Sequence, residues 1–221
     1  MNPKIVSFTT LKGGSGKTTL LMLTSAAVHN RTDKKLLVID SDPQRSVKQI
    51  YVQENNNAKS YDVFAFNWSQ PNPDENFEKV LTIAKSKYDL IFMDLPPGRI
   101  TDTPIYHSIL RSDMLIVPIV ASVLDINATT TFLESIPEVL ESKKKTLEVY
   151  GVINKQDQSI EYKHLTKLAG VGGMKLFYSP LSNLVRYKRG ISTIHDITTP
   201  DVKEDEFNMY FDEFCTKSYI F

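Results

Sequence analysis

The chain of 221 residues has a single cysteine, Cys215, which leaves nothing for an internal disulfide or a cysteine metal cluster to form from. It also lacks net charge, since 26 basic residues balance 26 acidic ones, so any hold on nucleic acid or an anionic membrane must come from a local patch. No apolar run approaches the roughly 18 residues a membrane helix needs, and the N-terminus has no basic-then-apolar leader. The four histidines, His29, His107, His164 and His195, show no metal-ligand spacing and read as surface or capping residues. Glycine and proline are too few for disorder, and no period of about 20 to 50 residues repeats. These absences leave a folded chain with a reducing, cytoplasmic setting as the expectation.

What is present is an alternation of strand and helix patterns. Apolar runs at residues 4–10, 36–39, 88–95, 114–120 and 147–153 read as strands, with weaker ones at 61–66 and 175–178. Helical spacing appears at 18–30, 43–53, 74–87, 125–141 and 202–216; in the last of these Phe207, Tyr210, Phe211 and Phe214 share one face. Pro43 is expected to open the second helix. The fold expected is α/β: a single doubly wound, mainly parallel sheet with helices on both faces, one domain over residues 1–221.

Between the first strand and the first helix stands Lys12-Gly13-Gly14-Ser15-Gly16-Lys17-Thr18-Thr19. Glycines there let successive N–H groups converge on an anion at a helix start. Lys17 reads as the lysine for the β and γ phosphates and Thr18 as a Mg²⁺ ligand. The common phosphate-loop pattern needs glycine at position 11, and the chain has Leu11 followed by a second lysine, Lys12. Asp94, closing a buried-looking strand before Pro96-Pro97-Gly98, reads as the acid of the Mg²⁺ site, with a turn or cap aspartate as the structural alternative.

The runs KGGSGKTT, IDSDPQ at 39–44, IFMDLPPG at 91–98 and VPIVASVLDINAT at 117–129 resemble the deviant Walker A ATPases of the ParA/MinD family, most of all the small ParA-type partition ATPases. The resemblance spans residue 4 to about 200 and implies a P-loop NTPase fold of the SIMIBI kind and an ATP-dependent sandwich homodimer. In that dimer Lys12 crosses to the partner's phosphates, Asp42 orients the attacking water and Asp40 sits near the Mg²⁺ shell. ATP and Mg²⁺ are the implied cofactors, and slow, partner-stimulated hydrolysis is the implied activity.

Residues 154–157 (Asn154, Lys155, Gln156, Asp157) match a GTPase base-reading motif, but the family reading makes Asn154 an adenine contact and turns Asp157 to solvent. The same resemblance puts Arg186, Lys188 and Arg189 at a nonspecific DNA-binding edge, above the alternative lysines Lys143, Lys144 and Lys145. It implies a separate ParB-like centromere-binding partner, because the first strand begins almost at residue 1, and a nucleoid-associated location. A lone cysteine does not fit the iron-protein branch, and the acidic polar face of the last helix does not fit a membrane anchor. The competing expectation is a nucleotide switch, MinD-like or conjugation-associated, that positions a protein complex without touching DNA.

Overall fold

The computed structural model describes residues 2–54, 60–120, 123–154, 168–182, 192–194 and 204–220. Its strands are β1 (Lys4–Phe8), β2 (Leu36–Asp40), β3 (Asp62–Ala65), β4 (Leu90–Asp94), β5 (Met114–Val120), β6 (Glu148–Asn154) and β7 (Lys175–Leu176). The helices are α1 (Lys17–Arg31), α2 (Ser46–Glu54), α3 (Pro73–Lys85), α4 (Thr103–Arg111), α5 (Val123–Glu134), α6 (Ile136–Ser142) and α7 (Glu204–Ser218). All seven strands pair in parallel in the order β3-β2-β4-β1-β5-β6-β7, which puts β1 in the middle of the sheet. The expected doubly wound sheet is the observed one.

Near-continuous apolar runs form the central strands because both faces are covered. Alternate residues feed different layers: Val6, Phe8, Val38, Phe92 and Ile116 pack against α1, α2 and α7. Their neighbours Ile5, Leu37, Ile39, Ile91 and Met93 pack against α3, and Leu115, Val117 and Ile119 against α4, α5 and α6. The aromatic stripe of α7 is fully committed, with Phe207, Tyr210, Phe211 and Phe214 at most 2% exposed. Two of its acids are committed as well. Glu206 accepts from Ser182 N–H and Oγ, and Glu213 accepts from the N–H groups of Tyr178 and Ser179. Its apolar face is therefore not offered to a lipid surface, and among the described residues no helix is long and apolar enough to cross a membrane.

Three elements differ from expectation. The helix after β2 starts at Ser46 and not at Pro43, because Asp42 accepts from Gln44 N–H through its carboxylate and from Arg45 N–H through its carbonyl, and Arg45 turns to φ 50°. The helix expected at 125–141 is two helices: Pro137 lies in the first turn of α6, where it cannot donate the N–H that would continue α5. Helix α4 falls where no element was expected; Pro104 opens it, and Ile105 and Ile109, one turn apart, lie on its buried face.

Candidate functional site

Register brings the site together. Phe8 is paired with Asp94, and Asp94 with Asp40, so the carboxyl ends of β1, β4 and β2 meet in one row. Ligands of open α/β sheets bind at that end. The loops leaving the strands are tied to one another: Ser41 donates through its N–H and Oγ to the Asp94 carbonyl, and Gly98 N–H to the Thr10 carbonyl.

From β1 the chain turns through the glycines into α1. Gly14 and Gly16 have φ of 84° and 88°, the left-handed region that other residues enter only at a cost. Gly16 is also hemmed in, since a Cβ there would collide with the Asn154 amide. That amide is buried and its Nδ2 donates to the Ser15 carbonyl at 2.6 Å, so β6 braces the loop from behind. Gly13 to Thr19, together with Lys12, Asp42, Gln44 and Pro97, line a cleft of about 210 Å³.

At its floor Lys17 is 7% exposed, and its ammonium lies 2.5 Å from Asp94 Oδ1, 3.6 Å from Asp42 Oδ2 and 3.2 Å from Thr18 Oγ1. Thr18 Oγ1 donates to Asp94 Oδ2 at 2.9 Å. Burial raises the Asp94 carboxyl above its usual value, while Lys17 and Thr18 pull the other way. Lys12 is exposed at the mouth of the cleft, and its carbonyl accepts from Thr10 Oγ1.

Asp40 is fully buried. Its Oδ2 accepts from the Lys48 N–H at 2.9 Å, whereas its Oδ1 has no hydrogen-bond partner. Burial raises its pKa to about 6, with Asp94 and Asp42 adding repulsion. A buried carboxylate oxygen left this way is costly unless a cation answers it. Thr18, Asp40 and Asp94 thus offer hard oxygen donors of the kind that suits Mg²⁺, which is usually held by one or two carboxylates with phosphates and water completing its shell. Among the described residues no group of three or more His, Cys, Asp or Glu is arranged to hold a metal ion.

The Asp40 shift has a measurable consequence for folding. Between about pH 4 and pH 6 the folded chain keeps a proton on Asp40 that the unfolded chain has released, so this contribution is present at low pH and lost as pH rises through that window. The buried anion then costs on the order of 3 kcal/mol at pH 7. In Mg²⁺-free urea unfolding, Asp40→Asn is expected to gain stability relative to the wild type as pH rises from about 4 to 7. Parallel stability curves for the two proteins would contradict it.

The CobQ/CobB/MinD/ParA nucleotide binding domain model matches residues 6–178. The chain belongs to this family. A carboxysome distribution maintenance protein A from Halothiobacillus neapolitanus (strain ATCC 23641 / c2) is 29% identical over 137 residues, 62% of this chain and 57% of that protein. The chain thus spans little more than half the length of this relative. Among solved structures, a plasmid partition protein of Borrelia burgdorferi B31 bound to AMPPNP has a TM-score of 0.74 at 18% identity, covering 98% of this chain and 100% of that one. A Cyanothece McdA variant in complex with ATP has a TM-score of 0.70 at 18% identity, covering 96% of each chain. MinD of Aquifex aeolicus has 0.68 at 16%, covering 96% and 97%. At such identities these likenesses establish the fold, a ParA/MinD P-loop NTPase fold on a seven-stranded parallel sheet.

Of the residues the sequence singled out, Lys12 to Thr19 and Asp42 line the cleft, Asp94 holds Lys17 at its floor, Asp40 is buried beside Asp94 on the neighbouring strand, and Asn154 lies behind the loop. Arg186, Lys188 and Arg189, and Asp157 with Lys155 and Gln156, lie outside the described residues. Ser41, Gln44 and Pro97 were not given roles, although all three stand inside the quoted runs IDSDPQ and IFMDLPPG. His107 is the one histidine among the described residues that joins a charged cluster: its Nδ1 lies 2.7 Å from Asp74, which also meets Arg111. The cluster ties α4 to α3 and leaves His107 in a structural role.

Proposed function

We propose that the chain is an ATP hydrolase that pairs with itself when ATP is bound, holds DNA nonspecifically, and moves a plasmid or other DNA cargo with a separate centromere-binding partner. The observation that carries the ATPase part is the buried Lys17 ammonium set among Asp94, Asp42 and Thr18 at the floor of a glycine-lined cleft. Backbone N–H groups of residues 13–19 would take the phosphates, with Lys17 as their cation. Thr18, Asp40 and Asp94 would hold Mg²⁺, which supplies neutralisation of phosphate charge. Asp42, 12% exposed at the cleft wall, would orient a water, and no strong base is required because positioning and charge do most of the work in phosphoryl transfer. Lys12, at the mouth, would meet the phosphates of a second copy. Asn154, whose amide braces the loop, would also contact adenine; comparing affinities for ATP and GTP tests this, and a clear preference for GTP overturns the ATP reading.

For DNA, the reading rests on Arg186, Lys188 and Arg189. Changing Arg186 and Arg189 together to alanine is expected to weaken ATP-dependent DNA retention about tenfold or more and to lower its salt dependence. Retention unchanged in the double variant would sink the assignment to these residues.

A second reading has its own support, because the sequence relative is a carboxysome distribution protein. In it the same switch positions a protein assembly. ATP hydrolysis measured with and without nonspecific DNA separates the two: the partition reading expects stimulation or retention by DNA, and the protein-positioning reading without DNA contact expects neither.

A further inference from the structure

We propose that the outer edge of β3, with the groove it shares with α2 and α3, is a docking strip for an extended, acid-bearing apolar segment of a partner protein. Strand β3 is the last of the sheet and, among the described residues, pairs only with β2. Phe66 N–H donates to the Asp40 carbonyl, so by alternation Asp62 and Phe64 turn their backbone groups to β2, while Val63 and Ala65 turn theirs outward. Along that edge runs a groove of about 310 Å³ whose apolar wall is Phe64, Val80, Ile83 and Ala84. Phe64 is 42% and Ile83 56% exposed, and Val52, one turn beyond Lys48 on α2, is 59% exposed. Two of the six large apolar side chains exposed among the described residues, Phe64 and Ile83, therefore line this groove. A clustered apolar patch of this kind marks a contact surface.

The charges choose the occupant. Lys48 reaches round from α2, its ammonium 4.7 Å from the Tyr51 ring centre, and donates to the outward Val63 carbonyl at 3.0 Å. A lysine on an open edge guards it against pairing with another edge. A carboxylate removes that guard, because an ammonium–carboxylate hydrogen bond is roughly twice as strong as one to a neutral carbonyl. An incoming strand with a suitably spaced acid thus draws Lys48 away and takes the Val63 carbonyl for its own ladder. Lys87 stands on the same groove, and Asp62, the one acid lining it, is engaged by the Tyr88 hydroxyl at 2.6 Å. The rim favours acidic over basic segments, and apolar side chains alternating with the acids would enter the groove beside Phe64 and Ile83, as in strand addition to a sheet edge.

The surface is separate from the nucleotide cleft, so its test stands or falls independently of the ATPase reading. Blocked six-residue peptides of alternating valine and glutamate, and of alternating valine and lysine, would be titrated into the full chain. Amide chemical shifts and hydrogen exchange at Val63 and Ala65 are the readout. The glutamate peptide is expected to shift and protect both amides and to bind about tenfold more tightly than the lysine peptide at low salt, the gap closing in about 0.5 M salt. Lys48→Met should remove most of that discrimination. Phe64→Asp, at an exposed position, should abolish binding with melting temperature and ATP hydrolysis unchanged. Absence of protection at Val63 and Ala65, equal affinity for the two peptides, or wild-type binding by Phe64→Asp would each overturn the proposal.

Discussion

Lys12→Ala is expected to lower ATP hydrolysis about a thousandfold, the lower end of what a charge supplied to a transferring phosphoryl group contributes, while ATP binding stays within about tenfold of the wild type. The asymmetry follows from placement. Lys17 lies on the cleft floor with its charge balanced by Asp94 and Asp42, so it can hold phosphate in the ground state. Lys12 is exposed at the rim, where a second chain could bring it to the phosphates. An interaction made only as negative charge develops raises the rate without tightening binding. Because the guanidinium and ammonium differ in shape and hydration, Lys12→Arg should recover only part of the loss. Single-turnover hydrolysis and a separate nucleotide-binding titration check both halves, and an unchanged rate would remove Lys12 from the reaction.

Asp94→Ala should destabilise the folded chain by about 3 kcal/mol even without nucleotide, since breaking a buried pair strands the surviving charge. Asp94 is wholly buried and receives both Lys17 and Thr18. Asp42, at 3.6 Å from the Lys17 ammonium, replaces little of what is lost. Asp94→Asn keeps the shape and an acceptor for Thr18 and should cost less. Both changes should abolish the Mg²⁺-dependent part of the stabilisation that ATP gives in thermal melts. An Asp94→Ala protein as stable as the wild type would show that Lys17 does not depend on this carboxylate.

The sheet and the phosphate loop were legible because their causes are local. A run such as Leu36–Asp40 has to be a two-face-buried strand, and a lysine after glycines at a helix start has few other uses. The row of Asp40 and Asp94 was legible for the same reason, as acids at the ends of apolar strands. What escaped was set by contacts across the fold. The amide of Asn154 meets a loop 139 residues earlier, a bond no spacing announces. Helix α4 is short, and its two buried isoleucines follow Pro96-Pro97-Gly98, a stretch whose composition reads as a turn. Pro43 was read as a helix opener because a first turn does not need its missing N–H, but Asp42 captures the next two N–H groups and delays the helix to Ser46. The acids of the last helix were read only as unsuited to a membrane anchor, and two of them hold the segment after β7.

ATP with Mg²⁺ is expected to make the chain pair with itself through Lys12. Sedimentation velocity of the wild type with ATP and Mg²⁺, without nucleotide, and of Lys12→Ala with ATP and Mg²⁺ tests it most directly. The expected result is a dimer in the first sample alone. A single monomeric mass in all three, or a dimer that ignores both nucleotide and Lys12, would contradict it.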